Sequence, residues 1–254
     1  MTKQMKIGFS SQIVRFQWLE QTSMWLLAGL NKDEIRRELY GYLDTWLKSN
    51  GTIPSATIRK ATNLLLNIWI APANELLEFR AEGIGLLGSL HSEYRTAVHW
   101  GMIMTSYPFW ARVAEAVGRL LRLQESVGAS QIKRRMHEQF GDRELVSRAT
   151  RTVLRSFVDW GVLQDGLVKG MYYQGTELAC TEPKLTAWLV EAVLRASSNE
   201  KAVLNSLLNS PALFPFDIMH ISADHLSTLA PGLDILSQGF DDEFVFLQSR
   251  YHLD

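Results

Sequence analysis

The feature that most constrains this fold is a succession of apolar stripes at helical spacing through the first 107 residues. The stripes stop at residues that end helices, such as Gly29, the pair 50–51 and Pro108. Asn31 with Glu34 three residues later has the capping-box pattern, which predicts that a helix begins there. The apolar residues of the first three helices are Val14, Trp18, Trp25 and Leu26; Ile35, Leu39, Leu43, Trp46 and Leu47; and Ile58, Leu65, Leu66 and Trp69. Two further helices are predicted over 76–87 and 94–104, with the aromatic faces in the core.

A different order of elements is predicted after residue 108. A helix and a turn over 126–130 precede a short helix, which ends at Gly141. Asp142 is predicted to cap the long helix that follows, over about 143–160, and Gly161 to end it. Short segments rich in β-forming residues then predict a hairpin; they are 162–163, 167–168, 171–173 and 178–180. Helix, short helix, long helix and hairpin is the order of a winged helix-turn-helix.

We therefore expect a mainly α protein with an N-terminal helical bundle, a winged helix-turn-helix with a small β-hairpin, and a C-terminal helical or irregular segment. The predicted domains are 1–107, 108–182 and 183–254, the last being a helix and an acidic tail packed on the rest. The proline-braced segment 211–216 is expected to dock on the preceding helix. The mixture of acids and aromatics over 241–246 predicts either a solubilising terminus with a small anchor or a contact surface for a basic partner or for the arginine helix of another copy.

The net charge of −1 hides an uneven distribution along the chain. Residues 112–155 carry 10 Lys and Arg against 5 Asp and Glu, whereas residues 199–254 carry 2 against 8. On the predicted long helix, Arg148, Arg151 and Arg155 recur at helical spacing, which favours a nucleic-acid-binding face. The candidate nucleic-acid-binding residues are Lys133, Arg134, Arg135, Arg143, Ser147, Arg148, Arg151, Thr152, Arg155 and Lys169.

The roles of these candidates follow from their predicted positions. The arginines of the long helix are expected in a groove, the basic residues 133–135 on flanking phosphates, and Lys169 at the hairpin tip on the adjacent backbone. A solvated or protein-binding face is the alternative, because winged helices also serve as plain interaction modules.

Motifs that suggest enzymes are weak in this chain. Residues 83–88 spell G-x-G-x-x-G, but the preceding segment has helical period and no strand follows, so close helix packing is favoured over phosphate binding. Asp165 with 182–184 imitates the carboxylates of a metal-dependent nuclease, yet Pro183 fits better as the first residue of a helix. The acids and histidines of 217–225 lack a shared helical face for a metal. We therefore predict no enzyme, no catalytic residues, no metal and no cofactor.

The surroundings of the protein are predicted from cysteine usage and hydropathy. Cys180 is the single cysteine, so no internal disulfide can form, and no Cys or His pair has zinc-finger spacing. The longest uncharged stretch, Thr96–Ala111, is shorter than a membrane span needs, and the start lacks an apolar signal core. These features predict a cytoplasmic protein without a membrane partner.

In its order of parts the chain resembles the BrxA family of bacterial BREX phage-exclusion systems. The residues that carry the resemblance are 28–35 (AGLNKDEI), the central helices leading to Tyr107, 154–163 (LRSFVDWGVL) and the proline-bearing stretch 181–194. The resemblance implies a helical, winged-helix-containing protein that binds double-stranded DNA as a non-catalytic accessory to a methyltransferase and ATPase assembly. Alternatives are a protein-protein assembly module of such a complex and a winged-helix transcriptional repressor; the oligomeric state is left open.

Overall fold

The computed structural model describes residue 9 and residues 12–49, 55–238 and 242–248. This part of the chain is mainly helical. Its helices are α1 (Phe16–Leu27), α2 (Lys32–Ser49), α3 (Ser55–Trp69), α4 (Leu77–Ser89), α5 (Arg95–Ser106), α6 (Pro108–Leu121), α7 (Ala129–Phe140), α8 (Glu144–Asp159), α9 (Pro183–Ala196), α10 (Leu204–Leu208) and α11 (Ala223–Leu229). The strands are β1 (Ser126–Gly128), β2 (Leu163–Asp165), β3 (Met171–Gln174), β4 (Leu178–Cys180), β5 (Lys201–Val203), β6 (Phe216–Ile218), β7 (Leu233–Gln238) and β8 (Asp242–Leu247).

The local signals for the first two helices are confirmed. Gly29 follows α1 with a φ of 85°, a left-handed conformation that favours glycine. Before α2, the side-chain oxygen of Asn31 accepts hydrogen bonds from the backbone N–H groups of Asp33 and Glu34 at 3.0 and 3.1 Å. The Glu34 carboxylate accepts from the Asn31 N–H at 2.7 Å, which completes the capping box. The predicted helix end at 50–51 lies outside the described residues.

The main hydrophobic core runs from α1 to α9 and is shared by residues on both sides of position 107. Aromatic rings meet at its centre: the ring centroids of Trp100 and Trp110 are 5.6 Å apart, and those of Trp110 and Phe157 are 4.9 Å apart. Phe157 belongs to α8 and Trp100 to α5, so helix α8 is anchored directly on the N-terminal helices. The division into three domains stays a prediction.

A polar network crosses this core between α1, α3 and α5. The Trp69 indole N–H donates to Nδ1 of His99 at 3.1 Å, and Nε2 of His99 lies 2.6 Å from the Glu20 carboxylate. Arg95 donates to both oxygens of the same carboxylate at 2.7 and 2.8 Å. Because Nδ1 is an acceptor here, His99 carries its proton on Nε2 and is neutral. Burial lowers the pKa of His99, although its hydrogen bond to Glu20 acts in the opposite direction.

Strands β1, β3 and β2 form an antiparallel sheet around the α7–α8 pair, with β3 in the centre. The predicted hairpin is confirmed for β2 and β3, whose register pairs Leu163 with Gln174 and Asp165 with Tyr172. The prediction of a simple turn over 126–130 is wrong, because Ser126–Gly128 pairs with β3 as strand β1. The prediction that 178–180 extends the hairpin is also wrong, since β4 pairs in parallel with β6 from the C-terminal part.

The start of α8 differs from the prediction at one residue. Asp142 does not cap the helix: Arg143 occupies the N-cap position, and no side-chain hydrogen bond caps it. The Asp142 carboxylate instead lies 2.7 Å from Nδ1 of His137 in α7. At the other end Gly161 has a φ of 72°, in agreement with the predicted helix stop.

The C-terminal part is more ordered than the sequence predicts. Segment 211–216 is docked on the core, but against α5 and α6, where the prediction named the preceding helix; the Trp100 indole N–H donates to the Ala212 carbonyl at 3.0 Å. The acidic and aromatic stretch is not a loose terminus, because β8 is the central strand of the antiparallel sheet β5-β8-β7 and Val245 is fully buried. Position 241 lies outside the described residues. Among the described helices, none combines the length and apolar character needed to cross a bilayer.

Candidate nucleic-acid interface

Helix α8 separates an apolar side from a cationic side. Its strong amphipathic pattern directs one stripe into the core. The buried residues of that stripe are Val146, Ala149, Thr150, Val153, Leu154 and Phe157. The opposite side carries Arg148 and Arg151, which are exposed and three residues apart. Residues at i and i+3 are neighbours on a helix surface, so the two guanidinium groups share one face.

The two exposed arginines have no ion-pair partner within the described part of the chain, although the exposed Glu144 lies one helical turn before Arg148. Neither Arg148 nor Arg151 makes an ion pair or a side-chain hydrogen bond with a described residue. A pair of unneutralised cations three residues apart repel each other in the isolated protein. An external anion would relieve that repulsion, which makes this face the strongest candidate for a polyanion site.

Arg155, predicted as the third groove residue, is engaged within the molecule. Its guanidinium contacts both carboxylate oxygens of Asp165 at 2.6 and 2.8 Å. The hydrogen bond with Asp165 raises the pKa of Arg155. Asp165 is the last residue of β2, so this ion pair joins the C-terminal half of α8 to the hairpin strand just before the turn. Arg155 therefore positions the hairpin, and it is not a free cation of the face.

Ser147 and Thr152 do not lie on the exposed face, and their predicted placement there is wrong. Ser147 is 5% exposed and Thr152 is 7% exposed. The Thr152 hydroxyl donates to the backbone carbonyl of Arg148 at 2.9 Å, one turn earlier in α8. Both side chains are covered by neighbouring elements, so neither can reach a ligand that approaches α8 from solvent.

Ser147 belongs instead to a clasp between α7 and α8. Its hydroxyl oxygen lies 2.8 Å from Nε2 of His137, whose Nδ1 faces Asp142. The order serine, histidine, aspartate is that of hydrolase triads. Here, however, the serine does not reach the nearby surface: His137 and Asp142 line the shallow depression of about 550 Å³ beside the clasp, and Ser147 does not. The three residues hold the two helices together at the turn.

The basic residues before α8 separate into two groups. Lys133 and Arg134 are exposed on α7, and the Arg134 guanidinium is 3.8 Å from the carboxylate of Glu138, a loose pair. Arg135 is half-buried and lines a small cavity against α6, so it points to a different neighbour than the two exposed cations, and its contact with phosphates stays a prediction. Arg143 is exposed, and its guanidinium donates to the backbone carbonyl of Phe140 at 2.8 Å.

The turn of the hairpin carries the last predicted residue and one feature that the prediction missed. Lys169 is exposed there, as expected. Beside it, Leu167 is fully exposed and Val168 is 68% exposed. Two aliphatic residues between Gly166 and Gly170 are the sequence signal for this exposed pair, because a glycine-flanked turn projects its side chains away from the sheet.

The competing motifs have structural roles. The G-x-G-x-x-G segment lies inside α4, where a Cβ at Gly83 would approach the Trp188 ring to 2.9 Å, so this glycine allows close helix packing. Pro183 is the first residue of α9, as predicted, and its neighbour Glu182 precedes the helix. Within the described ranges, no group of three His, Cys, Asp or Glu side chains could hold a metal ion.

Comparisons with known proteins returned no match: no protein-family model matches the chain, and no curated protein or solved structure does.

Proposed function

We propose that this chain binds a nucleic-acid duplex with the exposed face of α8, and that this duplex is double-stranded DNA. The observation that carries the proposal is the pair Arg148 and Arg151, exposed on one face and without a carboxylate partner among the described residues. Arginine fits this role because its planar guanidinium can neutralise a phosphate or donate two hydrogen bonds to a guanine edge.

The arrangement around α8 supports a winged helix as the binding module. The chain passes through α6, β1, α7, α8, β2 and β3, and the sheet order β1-β3-β2 places the β2–β3 hairpin beside α8. In a winged helix the second helix of the pair enters the major groove. Its exposed face would then be that of Arg148 and Arg151, with Lys133 and Arg134 near the flanking phosphates.

The local charge supports a polyanionic ligand. Residues 129–174 carry 8 Lys and Arg against 5 Asp and Glu. Two of the five acids, Asp159 and Asp165, are held by arginines, namely Arg15 and Arg155. Each phosphate that the remaining cations neutralise releases counterions, which supplies affinity independent of sequence.

The biological setting is proposed from the resemblance to the BrxA family. In that setting the protein is a non-enzymatic accessory of a phage-defence system, and its protein partners are the methyltransferase and ATPase subunits of the assembly. A stoichiometric partner recovered from the native host after nuclease treatment tests this part of the proposal.

The binding proposal is tested by removing the two free charges together. Arg148→Gln with Arg151→Gln should weaken binding to a labelled duplex, measured by fluorescence anisotropy over a series of salt concentrations. Each lost phosphate contact lowers the slope of log K against log salt by about 0.9, so the double variant should lose about 2 units of slope. Arg36→Gln with Arg37→Gln is the matched control, because both arginines are exposed on α2, away from this face.

Three outcomes would contradict the proposal. The wild-type protein would bind no duplex, the variant would bind as tightly as the wild type, or the α2 control would lose as much affinity as the α8 variant. A protein partner that survives nuclease treatment, without duplex binding, would favour the assembly module. Protection of one specific promoter sequence in a footprint would favour the repressor.

A further inference from the structure

The tip of the β2–β3 hairpin presents an apolar pair to solvent. Leu167 is fully exposed and Val168 is 68% exposed, next to the exposed Lys169. Single exposed aliphatic residues are ordinary on protein surfaces. Two adjacent ones, at the end of a hairpin beside a cationic helix, form an apolar surface whose burial against a ligand would be favourable.

This tip is held in one shape by backbone hydrogen bonds. The N–H of Gly166 donates to the carbonyl of Met171 at 2.8 Å, and the N–H of Met171 donates to the carbonyl of Val168 at 3.0 Å. The carbonyl of Gly170, whose φ is 82°, accepts from the N–H of Ala129 at 2.7 Å. The turn backbone is thereby tied to the start of α7, so it holds the two exposed aliphatic residues in place without a ligand.

The hairpin is also fixed relative to the arginine face. The Arg155–Asp165 pair fixes the turn end of β2 on α8, and Arg151 lies one helical turn before Arg155, roughly 6 Å along the axis. The tip begins directly after Asp165, so it is held next to the C-terminal half of the helix that carries the arginine face.

We propose that Leu167 and Val168 enter the minor groove of the bound duplex, wedge between base steps and bend the DNA. The inference rests on the proposed function, and it adds a deformation that the arginine face does not require. The duplex is the occupant favoured here because Lys169 at the tip and the free arginines of α8 complement a polyanion. Aliphatic wedges unstack a base step and kink a duplex away from the minor groove, and burial of the apolar side chains offsets the lost stacking.

The test measures bending and binding separately. A duplex of about 25 base pairs, labelled at both ends, reports bending by energy transfer, and anisotropy reports affinity. Leu167→Ala with Val168→Ala should abolish most of the transfer change and weaken binding roughly tenfold. The salt slope should stay at the wild-type value, because aliphatic side chains release no counterions. Leu123→Ala is the matched control: Leu123 is 81% exposed in the segment between α6 and β1.

The outcomes separate this inference from the proposed function. If the wild-type protein binds no duplex, both fall. If it binds a duplex that stays straight, or if the tip variant bends the duplex as the wild type does, only the wedge is overturned. If the tip variant keeps duplex binding and loses a protein partner instead, the tip is a protein-docking surface and the wedge is wrong. Since both side chains are exposed, an unchanged thermal midpoint is expected to confirm that the variant folds.

Discussion

The buried His99 makes the stability of this protein depend on pH in a defined direction. In the folded state Trp69 donates to Nδ1 of His99, so a second proton would have to break that hydrogen bond inside the core. Burial therefore keeps the folded pKa of His99 below its usual value of 6.5. The unfolded chain has no such constraint and takes up the proton as the pH falls below 6.5.

The magnitude follows from this single proton. Where the unfolded state binds one more proton than the folded state, the free energy of unfolding falls by about 1.4 kcal/mol for each pH unit lost. The stability conferred by neutral His99 is thus complete well above pH 6.5 and is lost as the pH falls below 6.5, by up to about 2 kcal/mol at pH 5. Glu20, whose folded pKa is lowered by hydrogen bonds from His99 and Arg95 against the effect of burial, should add a further loss below about pH 4.5.

Urea unfolding between pH 8 and pH 5 measures this slope, and two variants separate its causes. His99→Gln keeps a hydrogen bond with Glu20 but does not titrate, so the slope should flatten. His99→Leu leaves the Trp69 N–H without an acceptor and should cost about 3 kcal/mol at pH 8. His91→Gln is the control, because His91 is exposed and its loss should leave the slope unchanged.

Two results would refute the reasoning on His99. A wild-type free energy of unfolding that is flat between pH 6.5 and pH 5 would mean that the folded state accepts the proton as readily as the unfolded state. A slope that persists in His99→Gln would mean that another group takes up the proton.

Three other perturbations have distinct expected results. Gly118→Ala should destabilise the protein by about 2 kcal/mol in thermal melts, because the new Cβ would lie 2.0 Å from a backbone carbonyl oxygen of segment 211–216. Gly85→Ala on α4 is the control: its Cβ would meet no atom within 4 Å, so this variant should be neutral or stabilising. Asp165→Asn should weaken the ion pair that positions the hairpin on α8, so the bend of a bound duplex should decrease; an unchanged bend would contradict that role of the Arg155–Asp165 pair. Cys180 is buried with a pKa raised to about 12, so a thiol reagent at pH 8 should react only in denaturant, and fast labelling of the native protein would contradict its burial.

Most of the helical fold could be predicted because its signals are local. The capping box at Asn31, the stop at Gly29 and the proline at the start of α9 each act within one helical turn, and each was predicted correctly. The sheet β5-β8-β7 could not be predicted in this way. Strand β5 lies about 40 residues before its partner β8 in the chain. The acidic residues at 242–243 are unfavourable in strands, yet β8 begins there and its Val245 is buried.

The candidate site was predicted only in part for a geometric reason. Helical spacing assigns each side chain an angle around α8, but the neighbours decide how wide the exposed sector is. Thr152 lies only about 40° from Arg148 around the helix axis, yet one is buried and the other exposed. The ion pair of Arg155 with Asp165 joins residues ten apart through the hairpin register, which no single-helix pattern contains.

The amino-acid sequence by itself determined where most helices of the first two thirds lie, which stripes face inward, and that positive charge concentrates in the middle of the chain, because these properties depend on residues within a few positions of one another. Only the tertiary structure decided which cations remain free, that Leu167 and Val168 stand exposed beside them, and that the acidic end completes a sheet. Those outcomes depend on contacts between distant segments, whose burial and pairing follow from how the helices and strands pack together.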